Sequence, residues 1–191
     1  MLPETIVFID GGYLSKISKH LGDGTYIDFD LNTLAHVLAK SESLWCKKVF
    51  YYTAPPFQAD PPTKEQITRK SKYDKFIGYL KRIPNFIVRE GRCQYVDGDY
   101  HQKGVDTLLT MDLFDVCLHE KVDVIILLAC DTDFVPILNK LREDKLKVII
   151  FYYNDYVRGS SFSMSNHILT ACDKSICMSR KFFDDSKRIK K

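Results

Sequence analysis

The chain has 191 residues, of which 45% are hydrophobic and 28% are charged, and its formal net charge is +3. These values are ordinary for one soluble globular domain, and the chain is short for two domains. The net charge is too small to identify a partner. Neither a secretory signal nor an apolar run long enough to span a membrane occurs, so we expect a cytoplasmic protein without a membrane partner.

Apolar runs and helical patterns alternate along the chain. Five runs have the length of buried strands, at 6–9, 48–53, 86–90, 124–130 and 148–153, and 174–179 is a weaker sixth candidate. Apolar residues at helical spacing lie between the runs, at 31–40, 63–82, 105–119 and 133–143. Strands that alternate with helices predict a parallel or mostly parallel sheet with helices on both faces.

Turn residues separate these elements. Pro62 can occupy the first turn of the helix at 63–82. Asp97-Gly98 predicts a hairpin turn between residues 92–96 and the following Tyr100. The last residues, 179–191, are basic, and we expect them to fray. The sequence therefore predicts one domain over residues 1–180, followed by a basic tail at 181–191.

The cysteines do not form a recognisable site. All six are scattered, and no C-x-x-C pair occurs. The pattern predicts neither a zinc site nor a disulfide framework, and favours reduced, mostly buried thiols in a cytosolic protein.

Two of the predicted strands end in aspartate. Asp10 follows the first strand and precedes Gly11-Gly12, while Asp131 and Asp133 follow the apolar run at 124–130. Open α/β sheets bind their ligands at the carboxyl ends of the strands. A fourth acid, Asp106, would begin the helix at 105–119. Each acid alone has a structural explanation, because aspartate caps helix N-termini and complements their dipole.

The combination of these acids favours a carboxylate cluster. Carboxylates that lie close together repel each other, and a divalent cation removes that repulsion. Mg²⁺ and Mn²⁺ prefer oxygen ligands. Such an ion can orient a water molecule, lower its pKa and stabilise the transition state of phosphodiester cleavage.

Three short motifs carry a family resemblance. They are IDGG around Asp10, KGVDTLLTMD at 103–112, and ACDTDFVPILNKLRE at 129–143. In this order they resemble the NYN domain, and more closely its LabA-like branch, within the PIN-like superfamily, over about residues 6–176. The resemblance implies a Rossmann-like three-layer α/β/α sandwich with a mostly parallel central sheet. It also implies the Mg²⁺- or Mn²⁺-dependent ribonuclease activity of many relatives.

The resemblance also implies a set of site residues. Carried over residue by residue, the catalytic residues and metal ligands are Asp10, Asp106, Asp131 and Asp133. Asp112 matches a further family acid, but six residues along a helix place it about 240° round the axis from Asp106. It can instead pair with a base or cap a neighbouring element.

Two other positions near the acids have open roles. Lys103 can neutralise a phosphate, temper the acidic cluster or lie in solvent. Tyr13 departs from the family pattern, because many relatives have an asparagine three residues after the first aspartate. A phenol at this position can stack on a base or fill space, and it puts catalytic efficiency in question.

The segment 62–82 is a candidate surface for single-stranded RNA. It contains seven basic and two acidic residues, a local charge of +5, with aromatic residues between them. The candidate phosphate-binding residues are Lys64, Arg69, Lys70 and Lys72, together with Arg158 in a later loop. Tyr73 and Phe76 are also spaced as a core-facing stripe, and we favour that interpretation for them.

We interpret the sequence as a metal-dependent endoribonuclease with RNA as its partner. The alternative is a non-catalytic RNA- or protein-binding regulatory module of the same fold, which Tyr13 favours. Two other enzyme classes with paired aspartates fit less well. A haloacid dehalogenase-like phosphatase needs an acid where Gly12 stands, and a Toprim site resembles a glutamate-first pattern, which Asp10 does not supply. The sequence leaves open whether the chain forms a homo-oligomer.

Overall fold

The centre of the fold is a six-stranded sheet in which every pairing is parallel. The computed structural model describes residues 2–157, 160, 162 and 165–188. In chain order the strands are β1 (Glu4–Asp10), β2 (Trp45–Thr53), β3 (Phe86–Glu90), β4 (Arg92–Val96), β5 (Asp99–Lys103), β6 (Val124–Leu128), β7 (Lys147–Tyr152) and β8 (Lys174–Cys177). The sheet order is β3-β2-β1-β6-β7-β8. Among the described strands, β4 pairs only with β5.

Seven α-helices accompany the strands in the described part of the chain. They are α1 (Gly11–Leu21), α2 (Leu31–Ser41), α3 (Lys64–Leu80), α4 (Val105–His119), α5 (Val135–Glu143), α6 (Asn166–Ala171) and α7 (Arg180–Asp184), with a short 3₁₀ helix at Thr132–Phe134. None of the described helices has both the length and the apolar character needed to cross a membrane.

Helices cover both faces of the sheet, and each face has its own core. Side chains of β1 alternate between the two cores, because successive residues of a strand point to opposite faces. Val7 and Ile9 pack with residues of α1 and α2, whereas Ile6 and Phe8 pack with residues of α4 and α5. All four side chains are fully buried. The α/β class and the mostly parallel central sheet between layers of helices are therefore confirmed.

The predicted hairpin is also present, outside the main sheet. Strands β4 and β5 are antiparallel, and Tyr95 lies opposite Tyr100. Asp97 and Gly98 both have positive φ, 54° and 89°. This is the signature of a type I′ turn, whose twist matches that of two antiparallel strands.

Three helices were not predicted, and one of them corrects the expectation for the C-terminus. Helix α7 lies in the segment 179–191 that we expected to fray, yet the side chain of Phe183 is fully buried. Ser186 is buried too, and its carbonyl oxygen accepts a hydrogen bond of 2.8 Å from the N–H of Asp30. The expectation of fraying is therefore wrong for 180–186, because an aromatic anchor holds this segment in the core.

Strand order fixes the place where a ligand can bind. Chain connections from β1 lead to β2 and β3 on one side, and those from β6 lead to β7 and β8 on the other. The boundary between β1 and β6 is thus the switch point at which open parallel sheets form a crevice beyond the carboxyl ends of their strands. Ile9 pairs with Leu128, so β1 and β6 end side by side.

Candidate functional site

Asp10 lies at the carboxyl end of β1 and caps the helix that follows. Its Oδ1 accepts hydrogen bonds from the N–H groups of Gly12 and Tyr13, at 2.8 and 3.1 Å. Two donors fix the orientation of this half-buried carboxylate. Oδ2 has no hydrogen-bond partner among the described residues, so capping leaves one oxygen for a ligand.

Asp131 repeats this arrangement beyond the end of β6. Its Oδ1 accepts a hydrogen bond of 2.9 Å from the N–H of Asp133 and caps the 3₁₀ helix. Both Asp131 and Asp133 are exposed. A capping role for Asp133 is therefore wrong. Asp131 is the cap, and Asp133 lies in the first turn of the 3₁₀ helix that Asp131 caps.

Asp106 comes from a third segment, the first turn of α4. The residue before this helix, Gly104, has a φ of 81°, and a Cβ there would meet no atom within 4 Å. Glycine is therefore suited to this position by its backbone conformation and not by lack of space. The left-handed residue turns the chain from β5 into α4 and places the exposed Asp106 beside the switch point.

The four acids act on each other electrostatically. Burial raises the pKa of Asp10, and the negative charge of Asp106 raises it further. Asp106 is exposed as a residue, but partial loss of water around its carboxyl group raises its pKa, and the charges of Asp131 and Asp133 raise it further. The three segments that the sequence singled out therefore lie near enough for Asp106 to act electrostatically on Asp10, and for Asp131 and Asp133 to act on Asp106.

Little positive charge offsets this cluster. Among the described residues, none of the four acids forms an ion pair. Lys16, one turn into α1, lowers the pKa of Asp10 only as the weakest of the contributing causes. The cluster thus carries the uncompensated negative charge that attracts a cation.

The carboxylates do not form a ready-made metal site. Within the described part of the chain, no group of three His, Cys, Asp or Glu side chains is positioned to hold a metal ion. Mg²⁺ usually keeps several waters and is bound by only one or two carboxylates together with substrate phosphates. The all-oxygen donors, with free oxygens on Asp10 and Asp131, therefore fit a hydrated hard cation and not a closed cage.

The β4–β5 hairpin reaches this edge of the sheet through Gln102. A Cβ at Gly12 would lie 3.4 Å from Gln102 Oε1 and 3.3 Å from Asp10 Oδ1. The absence of a side chain at Gly12 thus gives room for an amide next to the cap of α1. A Cβ at the preceding Gly11 would lie only 2.6 Å from the ring of Tyr51. The Gly11-Gly12 pair was the sequence signal for this close approach, but it did not reveal Gln102 or Lys16.

A thiol also lies beside the acids. Burial, followed by the charge of Asp10, raises the pKa of Cys130 to about 11. Cys130 is therefore a neutral thiol at neutral pH and lacks the thiolate that a nucleophile needs.

Tyr13 has a structural role. Its side chain is buried, and its hydroxyl accepts a hydrogen bond of 2.8 Å from the N–H of Tyr153 and donates one of 3.4 Å to the carbonyl of Tyr153. Burial raises the pKa of this phenol far above its ordinary value. The ring thus ties α1 to the chain just beyond β7. It fills space, and it is not placed to stack on a base.

Asp112 lies in a buried network on the other side of α4. Both of its oxygens accept hydrogen bonds from Arg89, at 2.7 and 2.8 Å, and Oδ2 also accepts one of 2.9 Å from the hydroxyl of Tyr52. Among the two structural roles that the sequence allowed for Asp112, pairing with a base is the one observed.

Among the described residues, none of the predicted RNA-binding side chains forms an ion pair with the four acids. Lys64, Arg69, Lys70 and Lys72 all lie on α3. Arg69 pairs with Glu65 at 2.7 Å, and Lys70 pairs with Asp74 at 2.5 Å. Lys103 is exposed at the end of β5. Arg158 lies outside the described residues.

The core-facing interpretation of the α3 aromatics is confirmed. Tyr73 and Phe76 are partly buried and pack against the core on this face of the sheet, beside the buried Ile77 and Leu80. The basic side chains of α3 are thus the exposed part of an amphipathic helix.

Comparisons with known proteins agree with this geometry. A crystal structure of a protein of unknown function from Vibrio parahaemolyticus RIMD 2210633 superposes with a TM-score of 0.61 over 96% of each chain, at 14% sequence identity, and so shows a shared fold. No curated protein matches the chain. The family model described as "NYN domain" matches residues 4–179, nearly the whole length. The chain therefore belongs to the NYN domain family.

Proposed function

We propose that the protein is a metal-dependent endoribonuclease that hydrolyses phosphodiester bonds of single-stranded RNA at Asp10, Asp106, Asp131 and Asp133. The observation that carries this proposal is the electrostatic coupling of these acids, through which Asp106 raises the pKa of Asp10, and Asp131 and Asp133 raise the pKa of Asp106. Membership in the NYN family, whose domains act on nucleic acids, supports the same reaction class. Assignment to the LabA-like branch and a cytoplasmic location belong to the same proposal.

Each side chain of the site has its own role in the proposed reaction. Asp10 is held by two N–H donors, and Asp131 by one, so each offers a fixed second oxygen to the ion. When bound, Mg²⁺ or Mn²⁺ supplies a water of lowered pKa and stabilises negative charge on the phosphate. Asp106 has a raised pKa and can accept a proton from the attacking water. Lys16 can contact a phosphate oxygen, since its positive charge acts on Asp10 and lowers the pKa of that residue.

The test is cleavage of end-labelled single-stranded RNA with Mg²⁺ or Mn²⁺, and again after addition of a chelator. We expect chelation to stop cleavage, and Asp10→Asn and Asp131→Asn to slow it by about 100-fold or more. Asparagine caps helices about as well as aspartate, so both variants keep the caps of α1 and the 3₁₀ helix.

Asp23→Asn is the matched control. Asp23 is exposed just beyond α1 and has a φ of 55°, a conformation that asparagine adopts readily. The same chemical change there should leave the rate unchanged. Cleavage that resists chelation, or that survives both Asp10→Asn and Asp131→Asn, would reject the proposed mechanism.

A second candidate is a non-catalytic module that binds RNA or a protein for regulation. Two observations favour it: a structural tyrosine, Tyr13, where many relatives have asparagine, and the absence of a preformed three-ligand metal group among the described residues. Tight RNA binding without turnover in Mg²⁺, Mn²⁺ and other divalent ions would support this candidate over the nuclease.

A further inference from the structure

Three aromatic rings meet on the hairpin side of the acid cluster. Tyr95 and Tyr100 form a cross-strand pair of β4 and β5, with ring centroids 4.9 Å apart. Phe57, in the loop after β2, lies 5.8 Å from each of them. We refer to Phe57, Tyr95 and Tyr100 as the aromatic triplet. The ring planes are inclined by 36–49°, so the three rings do not close into a stack of their own.

The aromatic triplet is not part of either core. Tyr95 is 51% exposed and Tyr100 is 57% exposed, although both already contact neighbouring rings. Neither residue belongs to the buried clusters on the two faces of the sheet. Adjacent exposed rings on a two-stranded ribbon leave apolar surface in water, and this arrangement is typical of a binding surface.

Tyr95 and Tyr100 of the aromatic triplet lie on the same face of the ribbon as Gln102. Cys93 pairs with Gln102, and Tyr95 pairs with Tyr100 two residues further along the ribbon, so these side chains share one face. Gln102 on this face lies against Gly12, at the cap formed by Asp10. Two residues of a strand span about 7 Å, which is similar to the length of one nucleotide in an extended single strand.

Positive charge lies at the root of the same hairpin. Arg92 is directly opposite Lys103, and neither forms an ion pair with a described residue. Like charges in opposite positions destabilise a strand pair. A phosphate near them would relieve that repulsion, so the ribbon combines exposed rings on one face with unpaired positive charge on the other.

We propose that Tyr95 and Tyr100, supported by Phe57, form a stacking platform for a base of single-stranded RNA, about one nucleotide from the phosphodiester at the acid cluster. This inference rests on the proposed function, because it assigns the substrate of that site. Base stacking on aromatic side chains tolerates any sequence and needs an unpaired base. The platform thus selects single strands over duplexes without reading a sequence.

The test measures binding in a protein that does not cleave. Fluorescence anisotropy with Asp10→Asn protein and labelled single-stranded RNA of about 12 nucleotides gives the affinity. The Asp10→Asn protein is the parent in this test. The parent with Tyr95→Val and Tyr100→Val, called the valine variant, lacks both rings but keeps strand-forming residues, so the hairpin is retained. We expect binding to weaken roughly tenfold or more. We also expect the quenching of a 2-aminopurine base in the RNA to be lost.

Two control variants isolate the rings. Tyr95→Phe with Tyr100→Phe keeps the stacking surfaces and should bind as tightly as the parent. Tyr26→Val removes a tyrosine that is 68% exposed near the C-terminal end of α1, whereas Asp10 caps the N-terminal end. It should not change binding. An RNA of abasic residues should bind the parent more weakly and should lose nothing further in the valine variant.

Unchanged RNA affinity in the valine variant, or equal affinity of the parent for abasic and ordinary RNA, would overturn the platform. A complete lack of binding to RNA and DNA would also overturn it. So would a parent protein that is a dimer and becomes monomeric in the valine variant, because the rings would then contact a second copy of the chain. Equal loss of DNA and RNA binding supports the platform and removes only its preference for RNA.

Failure of the nuclease proposal gives a different result. In that case the valine variant weakens RNA binding, but the protein with Asp10 intact does not cleave. The KM is measured with the two valine substitutions in a protein that keeps Asp10. If the nuclease is correct and the platform is wrong, cleavage is chelator-sensitive and the two substitutions leave KM unchanged. If both are correct, the two substitutions raise KM and cleavage recovers at saturating RNA.

Discussion

At the scale of single residues, Asp10 and Asp131 have the same hydrogen-bonding arrangement. Each uses one carboxylate oxygen to cap the element after its strand and leaves the other without a described partner. Capping and ligand binding were alternative explanations of these acids in the sequence, but a carboxylate has enough acceptor sites for both. The backbone donors hold the carboxylate in place, which is what a binding group needs.

Asp112 is an acid with a structural role, and we expect it to have no part in cleavage. It accepts hydrogen bonds from Arg89 and from the buried hydroxyl of Tyr52. Asp112→Ala would leave that hydroxyl without a partner, and we expect a loss of about 2–3 kcal/mol in the free energy of unfolding. Urea denaturation measures this loss. The cleavage rate per folded molecule should stay at the wild-type value.

Asp115→Asn is the control for this prediction. Asp115 lies on the same helix, its side chain is 70% exposed, and it pairs with His119 at 3.0 Å. We expect a change below about 0.5 kcal/mol, because exposed pairs contribute little. Native stability of the Asp112→Ala protein together with lost cleavage would show instead that Asp112 belongs to the active site.

At the scale of elements, the sequence predicted the strands and the turn that depend on local burial patterns and local turn residues. The strands β1 and β6 are apolar because helices cover both faces of the sheet. The hairpin turn was readable from Asp97-Gly98 because its backbone needs two positive φ angles. Helix α1 was missed because two glycines begin it, and those glycines are explained only by contacts with Tyr51 and Gln102.

The candidate site was predicted only in part: its acids were predicted, and the residues around them were not. Motif order identified the segments that carry Asp10, Asp106 and Asp131, and strand ends placed two of them at one edge. The contributions of Gln102 and Lys16 depend on how the hairpin and α1 fold over that edge, and no local pattern encodes this.

Helix α7 leads to a test of the C-terminal segment. Phe183 packs edge to face on Phe29, with centroids 5.0 Å apart, and is fully buried. Phe183→Ala should lower the free energy of unfolding by about 3 kcal/mol, measured by urea denaturation. Lys187→Ala, which removes an exposed partner of Asp184, should change it by less than about 0.5 kcal/mol. Equal, small effects of the two variants would mean that the segment does not stabilise the domain.

At the scale of the whole molecule, strand order is the feature that creates the site. The order of the strands reverses between β1 and β6. Acids from three distant segments lie near enough to this point to raise one another's pKa values. Folding thus collects like charges at one edge, at a cost in stability that a bound cation would offset.

This cost has a definite pH dependence. The pKa values of Asp10 and Asp106 are raised above 3.8 in the folded protein, so the folded state binds these protons more tightly than the unfolded chain. The stabilising contribution of protonation is complete below the unfolded pKa and is lost as the pH rises through the raised values. Repulsion among the acids in the metal-free protein therefore grows as the pH rises through these raised pKa values.

Thermal unfolding of the metal-free protein tests this account. Mn²⁺ should raise Tm at about pH 7, and much less at about pH 4, where protons compete for the same oxygens. In the absence of metal, Asp106→Asn should raise Tm slightly at about pH 7, because it removes one of the repelling charges. An equal effect of Mn²⁺ at both pH values would place the ion elsewhere.

The most direct measurement is calorimetric titration of Mn²⁺ into the metal-free protein at neutral pH. The account predicts saturable binding by the wild-type protein and by Asp23→Asn, and binding at least about tenfold weaker in Asp131→Asn and Asp10→Asn. Indistinguishable titrations of the wild-type protein and Asp131→Asn would contradict the claim that these carboxylates hold the ion.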